Sequence, residues 1–351
     1  MSGSEALPGE HYEPDCAVYE MTLRCNLSCI HCGATAGHSR CDELTLAEIE
    51  PVAIDLKRVG FKRVSLIGGE PFVRKDWFEV ASIFKQHGLV LTLVSNGWLL
   101  ADDEALVQRL LTLSPQVIGF SLDGGTAATH DRIRGKAGSF ERVWRAIERL
   151  TGHGANLTLI TTVNQLNVDE LPLIRDLIMG QHIGWQIQIA SLNGERFGRE
   201  LFVDRDQYRR VAQFIHECVV SYPVAELPIA GADDLGYYSK SFPHCSVNGY
   251  GWQGCKGGIS NLGIKSNGDI KGCLSLPERF VEGNLRQRRL FDIWNDPRAF
   301  AYSRHFDPAQ LLGACRDCLF GERCQGGCPD IATSICGHPF ENTYCLYLNK
   351  V

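Results

Sequence analysis

The chain predicts an α/β fold on a mostly parallel sheet, followed by a smaller cysteine-rich unit. Three observations carry this. From about residue 16 to 221, short β-rich runs alternate with longer amphipathic stretches. Near residue 230 the texture changes to glycine, cysteine and turn dipeptides. At 351 residues the chain is long enough for one large domain and a smaller one. The implied division is an N-terminal arm at 1–15, an α/β unit at 16–230 and a cysteine-rich unit at 231–351.

Candidate strands lie at 17–23, 63–67 (RVSLI), 90–95 (VLTLVS), 116–122 (QVIGFSL), 157–163 (LTLITTV) and 185–190 (WQIQIA). Helical patterns fall near 45–59, 74–87, 102–113, 139–153, 167–180 and 204–221. Thr45 suits an N-cap with Glu48 three residues on, a capping box; Ser139 is a second N-cap candidate, with Arg142 in the third position. Six such units are too few to close an eight-stranded barrel, so a partial barrel or open curved sheet is expected. In either architecture ligands collect at the C-terminal strand ends. The loop around Cys25, Gly68-Gly69-Glu70, Ser95-Asn96-Gly97 and Ser121-Leu122-Asp123 all follow such ends. Beyond 230 helical periodicity fades except near 290–304, and Asn267-Gly268 sits between short β-like runs. That pattern reads as a hairpin-and-loop module held by metal rather than by a large apolar core.

Composition narrows the partners. Hydrophobic residues at 44% and charged residues at 22% are ordinary for a globular protein. A formal charge of −6 without a basic block argues against nucleic acid and anionic membrane. The start MSGSEALPGEHYEPD has no basic or apolar run, and no apolar segment reaches the roughly 18–20 residues of a membrane span. A cytoplasmic location is expected. In such a chain fifteen cysteines point to metal before disulfides.

Cys25, Cys29 and Cys32, in MTLRCNLSCIHCG, place three thiols in one loop directly after a strand-like stretch. Soft thiolates at these gaps favour an Fe–S cluster or zinc over hard cations. A 4Fe–4S cube needs four ligands and this loop offers three, which leaves one iron open to bind and activate another molecule. His31 reads as a positioning residue inside the loop rather than a ligand.

The CNLSCIHC loop after the first strand, with Gly68-Gly69-Glu70-Pro71 after the second, resembles the radical SAM superfamily over roughly residues 16–220. The resemblance implies a partial (β/α)6 barrel, a 4Fe–4S cluster on Cys25, Cys29 and Cys32, and S-adenosylmethionine (SAM) held on the open iron. It implies one-electron cleavage of the sulfonium to a 5′-deoxyadenosyl radical that abstracts substrate hydrogen, with an external donor such as flavodoxin or ferredoxin. The protein then supplies positioning and exclusion of water. Carried onto this chain, Gly68 and Gly69 let backbone approach the methionyl end and Glu70 accepts from its ammonium. Ser95 and Asn96 fall at the adenosyl contact, and Ser121 and Asp123 at the next strand end. The run HDRIRGKAGSFERV resembles the segment after this strand in peptide-modifying members, and Arg142 aligns as a partner of the SAM carboxylate. On residue type alone, Ser121 and Asp123 could equally end a strand and Arg142 be a solvated helix residue.

The second cysteine set resembles the SPASM extension, a small Cys-rich domain with a β-hairpin and short helices. Cys255 is followed by twelve residues and Gly268, then four more and Cys273; Cys315, Cys318, Cys324 and Cys328 follow at gaps of two, five and three, and Cys345 closes the set. By family precedent Cys315, Cys318, Cys324 and Cys345 hold one auxiliary 4Fe–4S cluster. Cys255, Cys273 and Cys328 hold the other with Cys245 as fourth ligand; Cys336 in its place, or a site left open for substrate, are the alternatives. The total is three 4Fe–4S clusters. Paired zinc ribbons are the alternative that Cys-x2-Cys at 315/318 permits. Cys336 is also a candidate hydrogen-atom donor, as an epimerase requires; Cys16, Cys41 and Cys218 read as structural. Tyr250 and Trp252 are candidates to wall a substrate cavity or to pack over a cluster.

SPASM members mostly modify ribosomal peptides or proteins. The resemblance therefore implies a peptide maturase that oxidatively modifies, foremost cross-links, a side chain. Only about 15 residues precede the first strand, too few for a leader-binding domain, so a separate leader-binding protein or the barrel face is expected to recognise a leader. Alternatives are radical oxidation or rearrangement of a small molecule, a peptide epimerase, a formylglycine maturase and a non-catalytic Fe–S or zinc protein. Leu274 after Cys273, where a formylglycine maturase carries an acid, weighs against that option.

Overall fold

The computed structural model describes residues 12–235, 237–239, 241–242 and 252–348. Strands and helices alternate as β1 (Cys16–Glu20), α1 (Leu46–Val59), β2 (Arg63–Ile67), α2 (Trp77–Gln86), β3 (Val90–Ser95), α3 (Glu104–Thr112) and β4 (Val117–Ser121). They continue as α4 (Ala127–Arg134), α5 (Ser139–Gly152), β5 (Leu157–Val163), α6 (Leu171–Ile178), β6 (Gly184–Ile189), α7 (Arg205–Ser221) and β7 (Ile229–Gly231). The remainder holds β8 (Asn261–Ile264), β9 (Asp269–Lys271), β10 (Gly283–Asn284), α8 (Leu290–Trp294), α9 (Ala301–Arg304), α10 (Gly321–Cys324) and α11 (Pro329–Cys336). Among the described residues, no helix is long and apolar enough to cross a membrane.

The sheet has ten strands in the order β10-β9-β8-β1-β2-β3-β4-β5-β6-β7 and is open, with β7 and β10 at its edges. Strands β8 through β7 run parallel, and β9 and β10 are antiparallel additions. Alternate residues such as Ala17, Tyr19, Val64, Leu66, Leu91 and Leu93 are buried in the core beneath the helices. That is the α/β architecture the strand–helix alternation implies.

Several details depart from the expectation. The hairpin at Asn267-Gly268 forms as expected, but β8 pairs in parallel with β1, Cys16 opposite Asn261 and Tyr19 opposite Ile264. The cysteine-rich unit thus continues the barrel sheet and covers an edge that β1 would otherwise expose. Glu20, at the end of β1, clamps the turn by accepting from Ser266 N (3.1 Å) and Oγ (2.8 Å) and from Arg40 Nε (3.2 Å). Helix α4 was not foreseen, because AATHDRIR has no apolar stripe. The helical pattern near 290–304 divides into α8 and α9, which Pro297 explains by breaking the run. Thr45 caps α1 as expected, its backbone N–H donating to Glu48 at 2.9 Å. Ser139 instead lies inside α5, whose N-terminal donors are met by Asp131 of α4: Gly138 N at 2.6 Å, Ser139 Oγ at 2.9 Å and Phe140 N at 2.8 Å.

Asp55, buried on α1, takes two bonds from Arg289, Nε at 2.8 Å and Nη2 at 2.5 Å, which fix the segment before α8 against the barrel. Because Arg289 is half exposed and can rehydrate, Asp55→Ala should lower unfolding free energy by about 2 kcal/mol, less than a fully buried pair would lose. Urea unfolding of both proteins checks it.

Candidate functional site

The cysteine loop follows β1 and is held by main chain on two sides. Gly69 N donates to Thr22 O (2.8 Å) and Glu70 N to Arg24 O (2.9 Å). A Cβ on Gly68 would fall 2.6 Å from Thr22 O, and one on Gly69 would strike Arg24 O, so glycine is required for this approach. The close approach these glycines permit is therefore to the cysteine loop's own backbone. On the other side Ser28 N donates to Arg134 O (3.3 Å) and Ile30 N to Ile133 O (2.9 Å), at the end of α4. Arg196 closes the loop by donating to Cys29 O (3.1 Å) and Ala36 O (3.0 Å).

Each thiol meets a donor. Leu27 N lies 3.4 Å from Cys25 Sγ, Ala36 N 3.3 Å from Cys32 Sγ and Arg134 Nη1 3.6 Å from Cys29 Sγ. Burial pushes the Cys25 thiol up to about 11 and raises Cys29 as well, against the pull of Arg134. Thiols so buried ionise when a metal binds them, and the donors then stabilise the bound thiolates. The donor set fits a thiolate-held cluster.

Glu70 is buried beneath this loop. Ser95 Oγ (2.9 Å) and Phe72 N (3.4 Å) donate to its Oε1, and Asn96 N (2.8 Å) to its Oε2. Burial pushes its carboxyl up to about 7 against those three donors. One acceptor position remains of the roughly four a carboxylate offers. Asn96 Nδ2 reaches Asn26 Oδ1 at 2.8 Å and Cys25 Sγ at 3.8 Å, which ties the third strand end to the cysteine loop.

Asp123 organises the fourth strand end. Its Oδ1 accepts from Thr162 N (2.8 Å), and its Oδ2 faces Arg134 Nη2 (2.6 Å) and His31 Nε2 (3.4 Å). Burial works against its charge, yet Arg134 and the two histidines hold it below the usual carboxylate range. His31 is pushed down to about 4 and His130 to about 3, both by burial, so both rings are neutral near pH 7. His31 Nδ1 and Arg134 Nε are buried without a hydrogen-bond partner. Orphaned polar atoms beside Cys29 mark a place where a polar ligand would be satisfied.

Arg134 was not singled out in the sequence, where Arg142 was preferred. Arg142 Nη1 donates to Trp98 O (3.1 Å), pairs with Asp102 (2.7 Å) and stacks on the Trp98 ring (4.3 Å). Ser121 ends β4, half-buried. Only burial separates the two arginines, and α4 was the missing signal.

Cys315, Cys318, Cys324 and Cys345 line one cavity with Tyr238, Phe320 and Tyr347. Cys255, Cys273 and Cys328 form a second group, each raised by burial, with Cys255 near enough to both Cys273 and Cys328 to be coupled to them. Between Cys324 and Cys328 the left-handed run Gln325, Gly326 and Gly327 (φ 58, 81 and 80°) turns the chain so that the two sulfurs enter different groups. No disulfide pairs the described cysteines. Among the described residues, no three His, Cys, Asp or Glu side chains converge on one mononuclear metal position; the Cys315 set surrounds a cavity rather than a point. Trp252 packs over this loop, its Nε1 donating to Cys324 O at 2.7 Å. Cys336 ends α11 beside Thr343 and Glu341. Cys245 and Tyr250 lie outside the described residues.

Between the two metal regions, Asp234 follows β7 and accepts from Ile189 N at 2.6 Å, while its Oδ1 is buried without a partner. Asp330 Oδ1 accepts from Asn193 Nδ2 at 2.6 Å across the same rim. The sequence held no signal for either beyond residue type.

Comparison with known proteins agrees with this geometry. A radical SAM superfamily model matches residues 19–178, and an iron–sulfur cluster-binding (SPASM) model matches 255–319. An AdoMet-dependent heme synthase from Methanosarcina barkeri is 28% identical, covering 95% of this chain and 97% of the relative. The mycofactocin maturase MftC of Mycolicibacterium smegmatis is 28% identical over 90% of this chain and 78% of its own. In fold the chain resembles Streptococcus suis SuiB bound to S-adenosylmethionine, at TM-score 0.74 and 19% identity, covering 95% of this chain and 77% of SuiB. AdoMet-bound anSMEcpe gives TM-score 0.70 at 16% identity, covering 94% of each chain.

Gly69→Ala should unseat the cysteine loop. Reconstituted protein should then hold about four iron atoms fewer than wild type, the content of one four-iron cluster, by colorimetric iron assay.

Proposed function

We propose that this chain, which belongs to the radical SAM superfamily and carries a C-terminal SPASM iron–sulfur domain, is a maturase that oxidatively modifies a side chain of a ribosomally made peptide. Bound SAM and the cluster on Cys25, Cys29 and Cys32 would supply the radical that abstracts a substrate hydrogen. In this reading Glu70 accepts from the SAM ammonium through its remaining lone pair. Arg134 receives the SAM carboxylate while Asp123 holds the guanidinium in place, and His31 presents its unpartnered Nδ1. Asn96 and Ser95 hold Glu70 and the cysteine loop together. The auxiliary sites on Cys315, Cys318, Cys324 and Cys345, and on Cys255, Cys273 and Cys328, suit oxidation because clusters there would accept an electron.

The observation that carries the peptide reading is the rim after β6 and β7. Asp234 Oδ1 is a buried acceptor with no partner, Asp330 lies beside it, and the nearby Lys271 ammonium is occupied by Leu274 O at 3.1 Å and by Leu276 O. Such a lining accepts N–H donors, which peptide backbone and side chains supply. It opposes a substrate that brings several carboxylates. A second reading, radical chemistry on a tetrapyrrole, is favoured by the near full-length match to a heme synthase.

Anaerobically reconstituted protein should hold about 12 iron atoms and release 5′-deoxyadenosine from SAM under dithionite, with Cys29→Ala inactive. Co-expression with a short peptide encoded beside its gene, where there is one, should yield a product that has lost two hydrogens by mass spectrometry. Unchanged peptides together with conversion of an iron porphyrin to heme would select the second reading.

Arg134→Lys should weaken SAM binding at least tenfold, about 1.4 kcal/mol, by equilibrium dialysis. Arg142→Met should leave that affinity within twofold.

A further inference from the structure

We propose that the Tyr302 hydroxyl donates a hydrogen bond to Cys255 Sγ and, with Ser275 on Cys273, sets the reduction potential of the auxiliary cluster that these cysteines would hold. The inference rests on the cluster assignment above and adds two positioning residues to it. Tyr302 lies on α9, and its hydroxyl is buried without a hydrogen-bond partner, with the Cys255 thiol beside it.

The backbone on both sides is shaped for that hydroxyl. A Cβ on Gly257 or on Gly272 would land on the Tyr302 oxygen. Gly257 N itself donates to Cys255 Sγ at 3.3 Å, and Gly272 immediately precedes Cys273. The phenol oxygen is thus wedged between the two loops that carry the ligands.

Helix α9 is fastened to the first of these loops by the next two residues. Ser303 Oγ donates to Gly257 O at 2.6 Å, and Arg304 Nε donates to Gly258 O at 2.7 Å. Phe280 packs edge-on to the Tyr302 ring at 5.3 Å. Three consecutive side chains therefore address the loop that carries Cys255. On the second loop, Ser275 meets Cys273 with both its backbone N–H and its hydroxyl. In the other auxiliary group, Cys315, Cys324 and Cys345 are met by backbone N–H groups of Asn342, Gly327, Tyr347 and Leu348.

Hydrogen bonds to cluster thiolates stabilise the more negative, reduced form and raise the potential. Hydroxyls on two of the three described ligands would make the Cys255 site easier to reduce than it would be without them.

The test is an EPR-monitored redox titration of the full-length, reconstituted protein with iron quantified in parallel. Tyr302→Phe should keep its iron and move one auxiliary potential to a more negative value, leaving the other two clusters unchanged. Ser275→Ala should shift the same signal in the same direction. Release of 5′-deoxyadenosine without substrate should stay at the wild-type rate, since the SAM site is untouched. Full iron with three unmoved potentials in Tyr302→Phe would overturn the proposal. Should Tyr302→Phe lose iron instead, Ser275→Ala decides: a shifted auxiliary potential supports the role of the hydroxyls, and an unmoved one rejects it. Wild-type protein with about 4 iron atoms rather than 12 would show instead that the cluster assignment itself had failed, and the proposal with it.

Discussion

The cysteine loop stands where it does because backbone meets backbone on both of its flanks. The end of β2 reaches Thr22 and Arg24 through Gly69 and Glu70, and the end of α4 reaches Ser28 and Ile30 through Ile133 and Arg134. Neither contact depends on a flexible side chain. Three sulfurs held this way need little reorganisation when metal arrives, which is what a centre must offer if it is to leave one coordination position for a second ligand. The glycines at 68 and 69 serve that end first, since any side chain there would push the loop off the strand.

Charge in this pocket follows from burial. Cys25, Cys29, Glu70 and the two histidines shift toward their neutral forms, while Asp123 keeps its charge because Arg134 lies 2.6 Å away. Arg134 thereby links a carboxylate, the Cys29 sulfur and the loop backbone. Removing it would strand Asp123 as a buried unpaired charge, a far larger loss than removing the half-exposed Arg142. A buried cation whose Nε has no partner also gives an incoming carboxylate a fixed place to bind.

Much of this was legible in the residues themselves. The strands at 63–67, 90–95 and 157–163 fall where their β-branched runs end, and the GGE, Ser95-Asn96 and Asp123 turns do gather at the C-terminal strand ends. What escaped has a common cause. Helix α4 carries its information in polar residues: Asp131 caps the next helix and Arg134 enters the pocket, while periodicity registers only apolar faces. The choice between Arg134 and Arg142 could not be made without knowing that α4 exists. The pairing of β8 with β1 joins residues more than two hundred positions apart, and no local pattern encodes such a partner.

That distant pairing explains how the two metal regions keep their relation. β1 ends at the start of the cysteine loop, and the β8–β9 hairpin beside it ends at Cys273. Register between β1 and β8 is fixed by burial of Ala17 and Tyr19 on one strand and Leu262 and Ile264 on the other, and by Glu20 gripping Ser266. A slip of one residue would turn the buried faces outward, so intermediate registers are excluded. The same element that closes the sheet edge therefore sets the distance between the site that would hold SAM and Cys273, which would serve the auxiliary cluster. A substrate reaching the rim at Asp234 and Asp330 would lie between those two regions, joined by one continuous sheet rather than by a flexible linker.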